Sequence, residues 1–268
     1  ASSCPNAVTR RRSVRSSREP AGVAIFDDGG LDLIRANTRG RLTAADLQLV
    51  ILLLSRGSAH RRAYLERRLA TEGPDPLLDA PDLLERLLTV RTMLVPSEAL
   101  FFYVLTRHAL RGAGIDDRDL SDYLAALLLE FGQRDRAWRI DWNDDQRHRY
   151  LVDILADLEA SAGERRFRVM THLGNHALWL AGLFPDYIAA RQLRKGGPDV
   201  TYYDALGRRG FGLASDHELA GEYGLAAIFR TVTERFPSVR VALNGVSDRL
   251  LFPHHRSADR VLRELGSH

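Results

Sequence analysis

Residues 169–185 read VMTHLGNHALWLAGLFP and carry no formal charge. The run is shorter than the ~20 predominantly apolar residues that are needed to span hydrocarbon. It is also interrupted by three polar side chains, His172, Asn175 and His176. These features predict a helix buried at the centre of a soluble fold, and we expect no membrane span.

Helical periodicity extends over most of the chain on both sides of this segment. From residue 43 onward, apolar residues recur at the spacing of one helix face. Residues 43–57, TAADLQLVILLLSRG, begin with the capping-box pattern Thr43-x-x-Asp46 and predict a second apolar, central helix. Similar patterns at residues 201–204 (TYYD) and 215–218 (SDHE) predict two further helix starts, the second opening a long helix.

The predicted fold class is therefore all-α, an irregular multi-helix globular domain with a disordered basic N-terminal arm. We expect roughly nine or ten helices in a single domain over residues 41–252. Residues 1–40 form the predicted arm, rich in arginine and serine and mostly disordered, with a short strand at residues 21–26. Residues 253–268 are expected to be a C-terminal tail.

The basic charge of the chain is concentrated in the arm. Residues 1–19 carry five arginines against Glu19, a net charge of +4, whereas the whole chain carries +3. The remaining residues therefore have a net charge of −1, and the pI of about 9.2 does not describe the folded domain. Nucleic acid is a partner that the arm would contact through weak and salt-sensitive phosphate interactions.

Cysteine and lysine are each present once. Cys4 lies in the arm, which excludes a disulfide within the chain and a zinc site built on thiolates. A reducing compartment fits this usage, and the expected location is cytoplasmic. Lys195 is the only lysine among 38 basic residues. This bias is typical of a GC-rich genome, and it makes each arginine cluster less informative about function.

The histidines of the apolar segment form a candidate metal or haem site. His172 and His176 stand at i and i+4, which places both imidazoles on one helix face, as when two histidines share a metal ion. Leu173 occupies the position at which a zinc protease has its glutamate. Further ligands would have to come from other helices. His108 and His217 are the candidates, with Asp153 or Asp157 as carboxylate options. The alternative is a pair of core histidines that hydrogen bond to backbone or to a carboxylate.

A second candidate site is an anion-binding patch. The sequence Gly207-Arg-Arg-Gly210 resembles a loop that could clamp phosphate groups, and more cations lie a few residues upstream. The alternative is a solvated loop between two helices. The residues predicted for this site are Arg191, Arg194, Lys195, Tyr202, Arg208 and Arg209.

Three classes of function remain open on the sequence. The first is a non-catalytic interaction or regulatory module, whose partner is another protein or a second copy of the chain, because polar signatures of catalysis are few. No serine lies in a G-x-S-x-G elbow. The second is an enzyme that depends on a divalent metal or haem held by the histidine pair. The third is a protein that associates with nucleic acid through its arm.

Overall fold

The structure, a computed structural model, describes residues 31–89, 95–133 and 135–251, and every regular element within these ranges is helical. The all-α prediction is confirmed. In the described residues the α-helices are α1 Ala44–Ser55, α2 Ala59–Glu72, α3 Asp75–Leu78, α4 Leu83–Thr89, α5 Glu98–Gly112, α6 Arg118–Gly132, α7 Leu151–Ala160, α8 Gly163–Leu183, α9 Pro185–Lys195, α10 Val200–Ser215, α11 Glu218–Glu222 and α12 Ala226–Val246. Short 3-10 turns occupy Arg39–Arg41 and Arg136–Trp138, and a π-helical turn occupies Ser247–Leu251. Residues 1–30, with the predicted strand at 21–26, and the predicted tail at 253–268 lie outside the described residues.

The start of α1 follows the capping-box prediction. Thr43 accepts a hydrogen bond from the backbone N–H of Asp46 at 3.2 Å, and the Asp46 carboxylate accepts one from the backbone N–H of Thr43 at 2.9 Å. The other carboxylate oxygen accepts from the backbone N–H of Ser97 at 3.0 Å. Ser97 is itself the N-cap of α5, so one aspartate fixes the first turns of two helices.

The two other predicted capping boxes are wrong. Helix α10 begins two residues earlier than predicted, because Asp199 accepts the hydrogen bond from the backbone N–H of Tyr202 at 3.2 Å. His217, rather than Ser215, is the N-cap of the short helix α11, and the long helix α12 begins only at Ala226. In both regions several polar side chains compete for the same backbone groups, and the pattern alone does not decide among them.

Helices α1 to α5 share one leucine-rich cluster, to which α6 adds Ala125. Burial of these apolar side chains is the main stabilising contribution in this half of the fold. The other buried members of the cluster are Leu49, Val50, Ile51, Leu54, Leu65, Leu77, Leu78, Leu83, Leu87, Leu100, Tyr103 and Val104.

Helix α8 is the centre of the other half, as the sequence predicts. It contacts α6, α7, α9, α10 and α12, and every residue from 169 to 178 is buried. A helix contacted on so many sides has no solvent-exposed face in its middle, which explains why that part of the sequence carries no charge. Among the helices that the structure describes, none has the length and apolar character to cross a bilayer.

Helices α8 and α10 cross at a contact between two glycines. A Cβ atom on Gly210 would lie 2.5 Å from the backbone nitrogen of Gly174 and 2.8 Å from the carbonyl oxygen of Met170. One turn earlier, Gly207 leaves room for the buried ring of Phe236 on α12. The prediction that residues 207–210 form a loop is therefore wrong. These glycines lie inside α10 and allow other helices to approach it closely.

The C-terminal end of α8 is closed by side chains of the C-terminal region. The Asn244 side-chain amide donates hydrogen bonds to the carbonyl oxygens of Ala181 and Gly182, both at 2.8 Å. The Ser247 hydroxyl donates to the carbonyl oxygen of Leu183 at 2.6 Å. Helix ends leave such carbonyls without partners inside the helix, so these bonds satisfy acceptors that would otherwise be buried and unpaired.

Replacing Asn244 by leucine is expected to lower the free energy of unfolding by about 1–3 kcal/mol, because two buried carbonyl oxygens lose their donors while the side chain keeps the same branching at Cγ. Chemical denaturation measures this loss. The control is Gly245→Ala at the next position, where a Cβ atom meets nothing within 4 Å and no loss is expected. Equal stability of Asn244→Leu and the wild type would contradict the capping role.

Candidate functional site

The predicted histidine pair lies on one face of α8 and is closed off from solvent. His172 and His176 are 4% and 0% exposed, and their ring centroids are 5.6 Å apart. The Nδ1 atom of His176 lies 2.7 Å from the carbonyl oxygen of Ala137. A carbonyl only accepts hydrogen bonds, so Nδ1 carries the proton and Nε2 keeps its lone pair. Neither Nε2 atom has a hydrogen-bond partner among the residues that the structure describes.

Burial keeps both imidazoles neutral. It lowers the pKa of His176 from 6.5 to about 4, although the hydrogen bond to Ala137 acts in the opposite direction. Burial also lowers the pKa of His172, and the neighbouring His176 adds to this effect. Aromatic rings surround the pair, with Trp138 at 5.3 Å from His176 and Phe131 at 5.7 Å from His172 between ring centroids. Charging either ring would place a cation in an apolar environment.

The other predicted ligands do not join the pair. His108 on α5 contacts the carbonyl oxygen of Leu78 through Nε2 at 3.1 Å. His217 caps α11 by accepting from the backbone N–H of Leu219 at 3.3 Å. In the part of the chain that the structure describes, no group of three or more metal-ligating side chains is placed to hold a metal ion. The donor set is thus two neutral Nε2 atoms, which fits neither a zinc site, with its three or four protein ligands, nor a di-iron centre.

His148 is a member of this region that the sequence analysis did not single out. It is 4% exposed, its Nε2 lies 3.4 Å from a carboxylate oxygen of Asp157, and its backbone N–H donates to Trp138 at 2.7 Å. Its charge would lower the pKa of both His172 and His176. It lies in a polar stretch without helical periodicity, so no pattern in the sequence marks it as buried.

The predicted anion patch is only partly brought together. Arg191, Arg194 and Lys195 line a cleft of about 340 Å³ that is open to solvent. Arg208 lies elsewhere on α10, and its Nε donates to the carbonyl oxygen of Thr233 at 3.2 Å. Arg209 is also on α10 and is exposed.

Two tyrosines and an alanine complete the lining of this cleft, which we call the α9 cleft. Its lining residues are Tyr150, Tyr187, Ala190, Arg191, Arg194 and Lys195. Both tyrosines are about half exposed, and neither was predicted. Tyr187 had a weak signal, since it stands four residues before Arg191 and so shares its helix face. Tyr150 had none, because it comes from a distant part of the chain.

The predicted residue Tyr202 is not among the lining residues of this cleft. Its ring packs edge-on against Tyr203 with centroids 5.9 Å apart. Burial raises the pKa of Tyr203, and the charge of the cleft residue Arg191 partly offsets this by lowering it. The neighbouring Tyr187 and Tyr202 also raise the pKa of Tyr203. The start of α10 therefore lies next to the cleft.

The cations of the α9 cleft differ in how they are held. The guanidinium carbon of Arg191 lies 4.9 Å from the ring centroid of Tyr150, in a cation–π contact. Gly197 packs against the aliphatic part of Arg191, since a Cβ atom there would lie 3.0 Å from the Arg191 Cγ. Arg194 and Lys195 are exposed and make no hydrogen bond or ion pair with any residue that the structure describes. One cation is thus fixed in place and two are available.

No family model, curated protein or solved structure matches this chain.

Proposed function

We propose that this protein is a non-catalytic interaction module that binds an anionic group of its partner in the α9 cleft. The observation that carries the proposal is the composition of the lining: three cations and two tyrosines, with no carboxylate. Tyrosine and arginine are the residue types that contribute most to binding at protein interfaces. Cations grouped without counter-charges also attract and orient an anionic ligand.

Many other arginines in the described residues differ from those of the cleft, because they form ion pairs with carboxylates. Arg165 contacts Asp157 at 2.6 Å and Asp144 at 2.8 Å. Arg107 is almost fully buried and contacts Asp79 at 2.7 Å. Such pairs hold helices together and offer no charge to a ligand. Arg194 and Lys195 of the cleft form no such ion pair with any residue that the structure describes.

The lining also favours binding over catalysis. It contains no histidine, carboxylate or thiol, the groups that most often act as general base or nucleophile. The alternative of a metal- or haem-dependent enzyme rests on His172 and His176. Their two unpartnered Nε2 atoms are its support, and the lack of a third ligand among the described residues is why we place it second.

Reversing the charge of the available cations tests the proposal. We expect the double variant Arg194→Glu and Lys195→Glu to bind inorganic tripolyphosphate at least about tenfold more weakly than the wild type, because it removes two cations and adds two anions at the cleft. Isothermal titration calorimetry at fixed ionic strength measures the affinity.

The matched control reverses two exposed arginines of α2 that have no ion-pair partner among the described residues, Arg61→Glu and Arg67→Glu. It has the same net charge as the test variant and is expected to bind like the wild type. If both double variants lose affinity equally, the effect is one of net charge and the proposed site is wrong.

A further inference from the structure

We infer that the anionic group recognised by the α9 cleft belongs to an acidic peptide segment that carries a leucine or aromatic side chain beside its carboxylates. The inference rests on the proposed function and names the chemistry of the partner. It depends on a second property of the same surface, which is exposed apolar side chains next to the available cations.

Two exposed apolar side chains line the cleft, Tyr150 and Tyr187, and Leu193 lies on the same helix as most of the lining. Nine large hydrophobic side chains are exposed in the described residues, and four of them belong to α9 or to the first residues of α7. Leu193 is the most exposed of the nine, at 88%. The other three are Tyr150, Val152 and Tyr187.

The positions on α9 place apolar and charged groups within reach of one short ligand. Leu193 follows the lining residue Ala190 by three positions, so the two are neighbours on the helix surface, ~5–6 Å apart at Cβ. Arg194 is the next residue after Leu193, and Tyr187 lies two turns before Arg194 on the same face. A peptide that lies along this face of α9 would contact the apolar side chains of Ala190 and Leu193 as well as the cations Arg194 and Lys195.

Charge complementarity favours carboxylates as the ligand groups. Arg191 offers a guanidinium group held against Tyr150, and guanidinium groups bind carboxylates through paired hydrogen bonds. Arg194 and Lys195 add two cations on flexible side chains. Leu193 would stay exposed to water if the ligand were a simple anion, whereas an apolar side chain of a peptide would cover it.

Single-stranded nucleic acid fits this surface less well. Such ligands stack successive bases on aromatic rings along a basic groove. One face of Tyr150 is already covered by Arg191, which leaves the exposed ring of Tyr187 in the lining. Leu193 and Val152 are aliphatic and provide no ring for stacking. The net charge of −1 over residues 20–268 gives no general attraction for a polyanion either.

Fluorescence anisotropy with three labelled probes tests the inference. The first is a short peptide in which Asp and Glu flank Leu and Phe, the second has Ser in place of Leu and Phe at the same charge, and the third is oligothymidylate of equal charge. We expect the wild type to bind the first peptide at least about tenfold more tightly than the second, and to bind the oligonucleotide more weakly than the first.

Two variants connect the preference to the surface. Leu193→Ser is expected to remove the preference for the apolar peptide, because the side chain that covers its leucine is gone. Val241→Ser on α12 also replaces an exposed apolar side chain and is expected to keep the preference. Neither change disturbs a buried contact, so both proteins are expected to fold.

The outcomes separate this inference from the proposed function. Equal affinity for the two peptides, or tighter binding of the oligonucleotide, overturns the acidic-peptide inference, while tripolyphosphate binding that depends on Arg194 and Lys195 still supports the cleft as an anion site. If reversing those two cations changes the binding of no probe, both proposals are wrong.

Discussion

Replacing Gly210 by alanine is expected to lower the free energy of unfolding by about 3 kcal/mol or more. The added Cβ atom would lie 2.5 Å from the backbone nitrogen of Gly174 and 2.8 Å from the carbonyl oxygen of Met170. Both are backbone atoms of α8, so no side-chain rotation relieves the contact and the two helices have to move apart. Extra methyl groups in a well-packed core cost about 1–3 kcal/mol, and a backbone obstacle belongs at the upper end.

The same substitution two residues later on the same helix is the control. A Cβ atom on Gly212 would lie 3.5 Å from a methyl group of Thr233, an ordinary contact. Gly212→Ala is therefore expected to stabilise the protein by about 0.5–1 kcal/mol through helix propensity. Chemical denaturation of the two variants measures the difference. If Gly210→Ala proves as stable as Gly212→Ala, the helices do not approach as closely as described.

Acidification is expected to destabilise the protein as the pH falls from 6.5 to about 4. In this window an unfolded His176 binds a proton, whereas the folded residue stays neutral because its pKa is lowered to about 4. Protons therefore favour the unfolded state, and stability decreases as the pH decreases. The shift corresponds to about 3 kcal/mol for His176 alone. Above pH 6.5 neither state is protonated, so His176 causes no further change there. The lowered pKa of His172 acts in the same direction.

A variant that does not titrate isolates this effect. His176→Asn keeps an N–H donor for the carbonyl oxygen of Ala137 but has no proton to gain. Its unfolding free energy between pH 6.5 and 4 is expected to depend less steeply on pH than that of the wild type, by about 1.4 kcal/mol per pH unit. His60→Asn on the exposed face of α2 is the control and is expected to match the wild type. Parallel pH profiles for all three proteins would mean that His176 is protonated in the folded state.

The helices that are predicted best from the sequence are those whose structure is determined by residues within the same segment. Helix α8 has helices on many sides, so its central residues carry no charge and its burial is visible in the sequence. The start of α1 is also predictable from the sequence, because Thr43 and Asp46, three residues apart, form the two reciprocal hydrogen bonds of the capping box. In both cases the physical cause lies inside the segment itself.

The errors occur where the cause lies in a distant part of the chain. Gly207 and Gly210 resemble a loop because glycine usually marks one, yet their reason is the proximity of Phe236 and Gly174. The sequence of residues 207–212 by itself does not indicate that these distant residues pack against the two glycines.

In the α9 cleft too, the residues that are close in sequence were predicted together and those that come from a distant segment were not. Its three cations were predicted together because they are close in sequence on one helix, with Arg191 and Lys195 four residues apart. Tyr150 comes from the start of α7, and only tertiary packing places it under Arg191. Arg208 and Arg209 were grouped with the patch by sequence proximity, but α10 carries them away from the cleft.

The way in which α8 is capped has a consequence for the order of events during synthesis. Asn244 follows Ala181 by 63 positions, and Ser247 follows Leu183 by 64. At about 5–20 residues per second, a ribosome needs roughly 3–12 s to add that length of chain. During that interval the last turn of α8 has water as the partner for its carbonyl groups. The C-terminal end of the central helix is thus capped by residues that are translated more than 60 positions after it.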